Sequence, residues 1–212
     1  MVAKKNGLSD CTLESVWSVY DVLFCEKMHN FCLPTWATTN VLAKLKKLMD
    51  FSFIFQFGIH ERVKKARLQG GLLVNKILKN MMAKADNSTY DLKLVAYSTV
   101  STTDTCSKCK GSHENTLGAL QIALNVYNGQ QAPYASCQIF ELFEEDTRDF
   151  TVQMYFRNQS GETPYPVSLL GCAHVCSLED FQDLLQPVIT QDWGAEWQDI
   201  HFSKRKKSKG VM

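Results

Sequence analysis

An α/β protein is what the sequence predicts, on three observations. Leu92–Ser98 is nearly all apolar, as expected of a strand covered on both faces. A polar loop follows it, and Leu117, Leu120, Ile122, Ala123, Leu124 and Tyr127 then recur at helical spacing. Gln138–Phe143 and Phe150–Phe156 alternate around the polar run EEDTRD, a hairpin signature. A strand leading through a polar loop to a helix start is where open α/β sheets place ligands, because loop donors and helix N-terminus converge there. The stretch Lys93–Asn128 is therefore where chemistry is expected.

In chain order, Leu13, Val16, Tyr20, Leu23 and Phe24 mark a helix within Cys11–Phe31, and Pro34 breaks it. Thr38 or Thr39 caps the next helix, whose apolar face carries Leu42, Leu45, Leu48 and Met49. Phe51, Phe53, Phe55 and Phe57 alternate with period two, which taken alone indicates a strand. Arg62–Ala85 reads as a long basic helix; Gly70 and Gly71 in its middle cost about 1 kcal/mol each relative to alanine, which implies close packing or a break. The helix ending at Tyr127 stops at Asn128-Gly129. Ser177 and Asp180 form a capping-box pattern opening Leu178–Leu185, and Pro187 closes that helix.

With 212 residues, 45% hydrophobic, the chain is long enough to bury a sizeable core, and disorder of the whole is excluded. The net charge of +1 hides an asymmetry. Lys204, Arg205, Lys206, Lys207 and Lys209 hold 5 of the 23 basic residues, leaving 18 against 22 acidic in a mildly acidic body. This tail is read as a solvated end rather than a nucleic-acid contact. Met1–Leu8 has no apolar run of the kind a secretory leader needs, and Phe51–Ile59 is too short to span a bilayer, so a literal reading places the chain in the cytoplasm without a membrane span. Eight cysteines and the sequons at Asn87 and Asn158 argue instead for a secretory route.

Cys106 and Cys109 followed by His113 offer half a tetrahedral metal site, with no evident fourth ligand; a plain inserted loop is the favoured account, and neither metal nor cofactor is expected.

The segments VYDVLFCEKMHNFCLPTWAT, DFSFIFQFGI, KARLQGGLLVNKILKNM, NTLGALQIALNVYNGQQAPYASCQIFELFEED, MYFRNQS, PYPVSLLGCAHVCSLEDF and PVITQDW resemble the C-terminal half of the histidine acid phosphatases, the lysosomal type first and the prostatic type next. The resemblance runs from about Trp17 to Trp193. It implies a mostly parallel sheet with flanking helices and part of a helical cap. It also implies a helix, not a strand, over Phe51–Phe57. The expected organisation is a variant N-terminus over 1–16 and a helical segment over 17–91. The remaining α/β part follows over 92–197, with an insertion at 99–111, and a basic tail over 198–212.

The family's reaction, hydrolysis of phosphate monoesters, uses an Arg-His-Gly motif for the nucleophilic histidine and a later His-Asp pair for a second phosphate ligand and a general acid. None of His29, His60, His113, His174 and His201 follows an arginine, so Arg-His-Gly is absent from the 212 residues. The His-Asp pair is matched by SHENTLGALQ, placing His113 at the histidine and Glu114 at the aspartate. A second register lays Ser98–Thr103 over the motif and loses both groups; the ungapped NTLGALQ favours the first. Glu114 is one methylene longer, enough to move the proton by about 1 Å. Thr99–Gly111 adds 13 residues between the strand and the pair.

The resemblance further implies disulfides Cys25–Cys137 and Cys172–Cys176, and a glycan at Asn158, with Asn87 a second acceptor. By the chain-entropy relation the first bridge is worth about 4 to 5 kcal/mol. The implied location is the lysosome or secretory pathway. The chain is expected to be inactive alone. An interaction module, either a homodimer or the pairing partner of a full-length relative, is the alternative, and a metal-binding loop protein the second.

Overall fold

A computed structural model of the chain describes residues 12–86, 90–97, 113–133, 135–190 and 192–198. The chain divides into two compact units, residues 1–59 with 129–131, and residues 60–128 with 132–212.

The first unit is a helical hairpin of α1 (Leu13–Met28) and α2 (Thr39–Phe53), the latter running on into a π-helical turn over Ile54–Ile59. Thr12 starts α1 through a reciprocal box: its Oγ1 accepts from the Ser15 N–H at 3.2 Å, while its own N–H donates to Ser15 Oγ at 2.8 Å. Thr38 caps α2 by accepting from the Val41 N–H at 3.4 Å. Val16, Tyr20 and Leu23 of α1 pack with Leu45 and Met49 of α2. Phe53 is buried, 5.2 Å from the Trp17 ring, whereas Phe51 and Phe55 are exposed and 6.1 Å apart on another face. A strand would have put all three phenylalanines on one side; the helical reading is the one found. Asp50 holds residues 129–131 to this unit by accepting from the Gln131 N–H at 2.9 Å.

The second unit contains α3 (Arg62–Gln69), α4 (Gly71–Asp86), α5 (His113–Ala123) and a four-stranded sheet, followed by α6 (Leu178–Leu185) and a 3-10 turn over Gln186–Val188. Expected as one helix, Arg62–Ala85 is two, broken at Gly70. β1 (Cys137–Glu144) and β2 (Phe150–Arg157) form the hairpin read from the alternation, in a register pairing Gln138 with Phe156 and Leu142 with Val152. Val152, Met154 and Phe156 alternate inward along β2. The far side of β2 pairs with β3 (Tyr165–Val167) and, nearer its start, β4 (Cys176–Ser177). Residues 193–198 form a last helical turn, held by the Trp193 Nε1–H donating to the Leu68 carbonyl at 2.8 Å and by a paired Arg67–Glu196 contact at 2.7 Å. The hydrogen bond to Glu196, ahead of its charge, raises the Arg67 pKa above the ordinary arginine value.

Two expectations are corrected. Every described strand pairing is antiparallel, so the mostly parallel sheet is not found. Parallel pairing needs a crossover of a dozen or more residues, and here consecutive strands join by short turns. Leu92–Ser98 is not a strand within the described residues. Residues 92–97 run outside any strand or helix and exposed, with Leu94 83% accessible. A strand needs neighbours for its N–H and C=O groups, and the four described strands pair only with one another.

Candidate functional site

The predicted chemistry falls on α5. His113 opens this eleven-residue helix and Glu114 follows in its first turn, where free N–H groups and the helix dipole favour anions. The side chains of His113 and Glu114 lie outside the described residues, as do Asn87, Cys106, Cys109, the insertion 99–111 and the basic tail.

The helix itself is fixed from three sides. A Cβ built on Gly70 would sit 2.3 Å from the Ala119 carbonyl oxygen and 2.8 Å from Ala123 Cβ, so only glycine lets α3 approach α5 this closely. Gly71 does the same against the Val188 carbonyl, at 2.1 Å. On the sheet side, the buried Gln121 donates through Nε2 to Gln138 Oε1 at 3.4 Å, and Gln138 Nε2 donates to the Tyr155 carbonyl at 3.0 Å. At its C-terminal end, Arg62 Nη2 donates to the Ile122 carbonyl at 3.3 Å and to Asn125 Oδ1. Asn125 ends the helix in the left-handed region, φ 60°. These contacts hold the flank and the C-terminal end of α5; His113 and Glu114 stand at its other end.

Cys172 and Cys176 are bonded, with Cα atoms 5.6 Å apart, and the small loop they close carries His174. His174 Nε2 lies 3.3 Å from the Tyr155 hydroxyl, which donates to Gln153 Oε1 at 2.7 Å, bracing this loop against β2. Cys25 lies on α1 and Cys137 at the start of β1, in different units. Asn158 directly follows β2 at a half-buried position. Among the described residues no group of three or more His, Cys, Asp or Glu is placed to hold a metal ion. Among them, too, no helix is long and apolar enough to cross a membrane.

Two features were missed from sequence. Gln121, 2% exposed, joins α5 to the sheet; its signal was a single amide inside the apolar run Leu117–Leu124. An open groove of about 210 Å³ lies beside the C-terminal end of α5, with Arg62 on its wall. It is built from four separate stretches of chain, and no local pattern announces it.

The family model for branch 2 of the histidine phosphatase superfamily matches residues 1–157. A lysosomal acid phosphatase of Xenopus laevis is 68% identical over 202 residues, covering 95% of this chain and 44% of that protein. The human lysosomal acid phosphatase is 51% identical over 198 residues, 93% of this chain and 44% of its own length. A mouse prostatic acid phosphatase is 47% identical over 192 residues, 90% of this chain and 46% of its own length. The chain thus spans less than half the length of the curated relatives it matches.

Proposed function

The chain belongs to branch 2 of the histidine phosphatase superfamily, and on that premise we propose that α5 carries one wall of an acid phosphatase site, with His113 as a phosphate ligand and Glu114 as the general acid. The observation behind this reading is SHENTLGALQ, which matches the family's His-Asp segment and whose His113 and Glu114 fall in the first turn of α5. There the helix dipole and free N–H groups add to a protonated imidazole in drawing a phosphate monoester, and a carboxylic acid next to it protonates the leaving alcohol. The location that goes with the reading is the lysosomal or secretory route of the relatives, where the Cys25–Cys137 bridge and the Asn158 glycan become possible.

By itself the chain is proposed to be inactive. Its histidines include none in an Arg-His-Gly motif, so the residue that would take the phosphoryl group is not supplied. Hydrolysis of p-nitrophenyl phosphate near pH 5 tests this. We expect no turnover above a protein-free control; turnover abolished by His113→Ala would overturn the inactive reading.

The second reading is an interaction module, pairing with a second copy or with a full-length relative. Leu92, Leu94, Val95 and Tyr97 favour it, being 57, 83, 40 and 43% exposed in a run whose composition suits a buried strand. Co-purification with a full-length relative supports this reading, and a protein that stays monomeric in its presence refutes it.

A further inference from the structure

The groove in the second unit lies at the opposite end of α5 from His113, about 15 Å along the helix at 1.5 Å per residue, so it is separate from the proposed phosphate site. Its walls include Val63, Leu124, Leu170 and Leu184, and none of the described residues lining it is acidic. Leu170 is 79% exposed and Val63 55%, so apolar surface faces solvent here rather than being sealed in the core. One wall also carries Arg62. The described partners of its guanidinium, the Ile122 carbonyl and the Asn125 amide oxygen, are both neutral, so they hold the group in place without cancelling its charge. A cation held by neutral partners among the described residues, beside an apolar trough, is the complement of an anionic head on an alkyl chain.

We propose that this groove binds a single-chain anionic amphiphile, with its head on Arg62 and its chain along Val63, Leu170 and Leu184. Carboxylate and phosphate heads both offer the oxygen acceptors a guanidinium takes in charge-assisted hydrogen bonds. The groove is small, about 210 Å³, which suits a medium chain rather than a long one.

The test is titration of the purified protein, below the aggregation threshold of each ligand, with decanoate, decyl phosphate, the neutral decyl maltoside and inorganic phosphate, read by calorimetry and by methyl NMR shifts of Leu170 and Leu184. Both decyl anions are expected to bind and move these methyls, the maltoside at least about tenfold more weakly, and inorganic phosphate not to move them. Decanoate binding without decyl phosphate binding, or the reverse, identifies the head group taken and still supports the site. Leu170→Asp, at a position 79% exposed, is expected to weaken both anions about tenfold without changing the melting temperature, and Arg62→Gln to erase the preference over the maltoside. Leu94→Asp, which removes an unrelated exposed leucine, is expected to change nothing. Equal binding of neutral and anionic ligands by the unaltered protein overturns the proposal, as does indifference to Leu170→Asp or an equal loss in Leu94→Asp.

Discussion

Gly70→Ala is the perturbation on which the placement of α5 depends most. The added Cβ would stand 2.3 Å from the Ala119 oxygen and 2.8 Å from both Ala119 C and Ala123 Cβ. Two of these atoms are helix backbone and the third is attached directly to it, so no side-chain rotation relieves the clash; α3 and α5 must separate by about 1 Å. Overpacking of this kind costs typically 1 to 3 kcal/mol, and a rigid obstacle puts it at about 3. Against this, alanine gains up to about 1 kcal/mol over glycine in helical conformation, and Gly70, at φ −95°, has a backbone alanine adopts freely. The net expected loss is about 2 kcal/mol, or a Tm lower by roughly 4 to 8 °C for a chain of this size. Urea and thermal unfolding of the variant measure it, with Gly194→Ala as control, since the nearest atom there is Asp192 Oδ1 at an ordinary 3.4 Å. If Gly70→Ala proves as neutral or stabilising as Gly194→Ala, the close approach of α3 to α5 is wrong.

Three further outcomes follow from other contacts. Ser177→Ala removes the hydroxyl that accepts the Asp180 N–H at 3.0 Å and donates to its carboxylate at 2.7 Å; urea unfolding should show a loss of about 1 kcal/mol. Converting Cys172 and Cys176 together to alanine opens a very short loop, for which the chain-entropy relation gives about 2 kcal/mol, and the stability of that variant should no longer respond to reductant. Burial, with a smaller contribution from Asp50, raises the Tyr20 pKa above that of a free phenol. Because the folded state holds the proton more tightly than the unfolded one, this stabilisation is complete below about pH 10 and lost as pH rises beyond it. Melts between about pH 9 and 11 should therefore fall less steeply for Tyr20→Phe than for the unaltered chain, and parallel curves would contradict the assignment.

Where sequence reading succeeded, the signal was local. The hairpin needs only its own alternation and the polar turn, and β1 with β2 satisfy each other's backbone groups without help from elsewhere. Ser177 and the Gly70-Gly71 pair were legible for the same reason, since cap and close approach are dictated by what one residue type can do. The Phe51–Phe57 alternation misled because period two over four residues also fits a helix in which Phe53 turns inward to Trp17 while Phe51 and Phe55 turn out. Leu92–Ser98 failed for a different reason. Its composition specifies burial, but burial requires partners, and no described strand lies beside residues 92–97. The antiparallel sheet likewise reflects which strands meet, a long-range property that strand composition does not encode. Of the candidate site, a helix after the polar loop was readable from the spacing that begins at Leu117, but its start at His113 was not, because His113 reads as part of the polar loop. The groove beside Arg62 was not, since its walls converge only through tertiary packing.

The central claim is that His113 binds a phosphoryl group but does not receive it. Trapping with a phosphate monoester labelled in its phosphorus, followed by denaturation in alkali, where phosphohistidine survives, tests that claim most directly. The account predicts no labelled histidine in this chain. Label that appears on the unaltered protein and vanishes in His113→Ala would make His113 a nucleophile and contradict it.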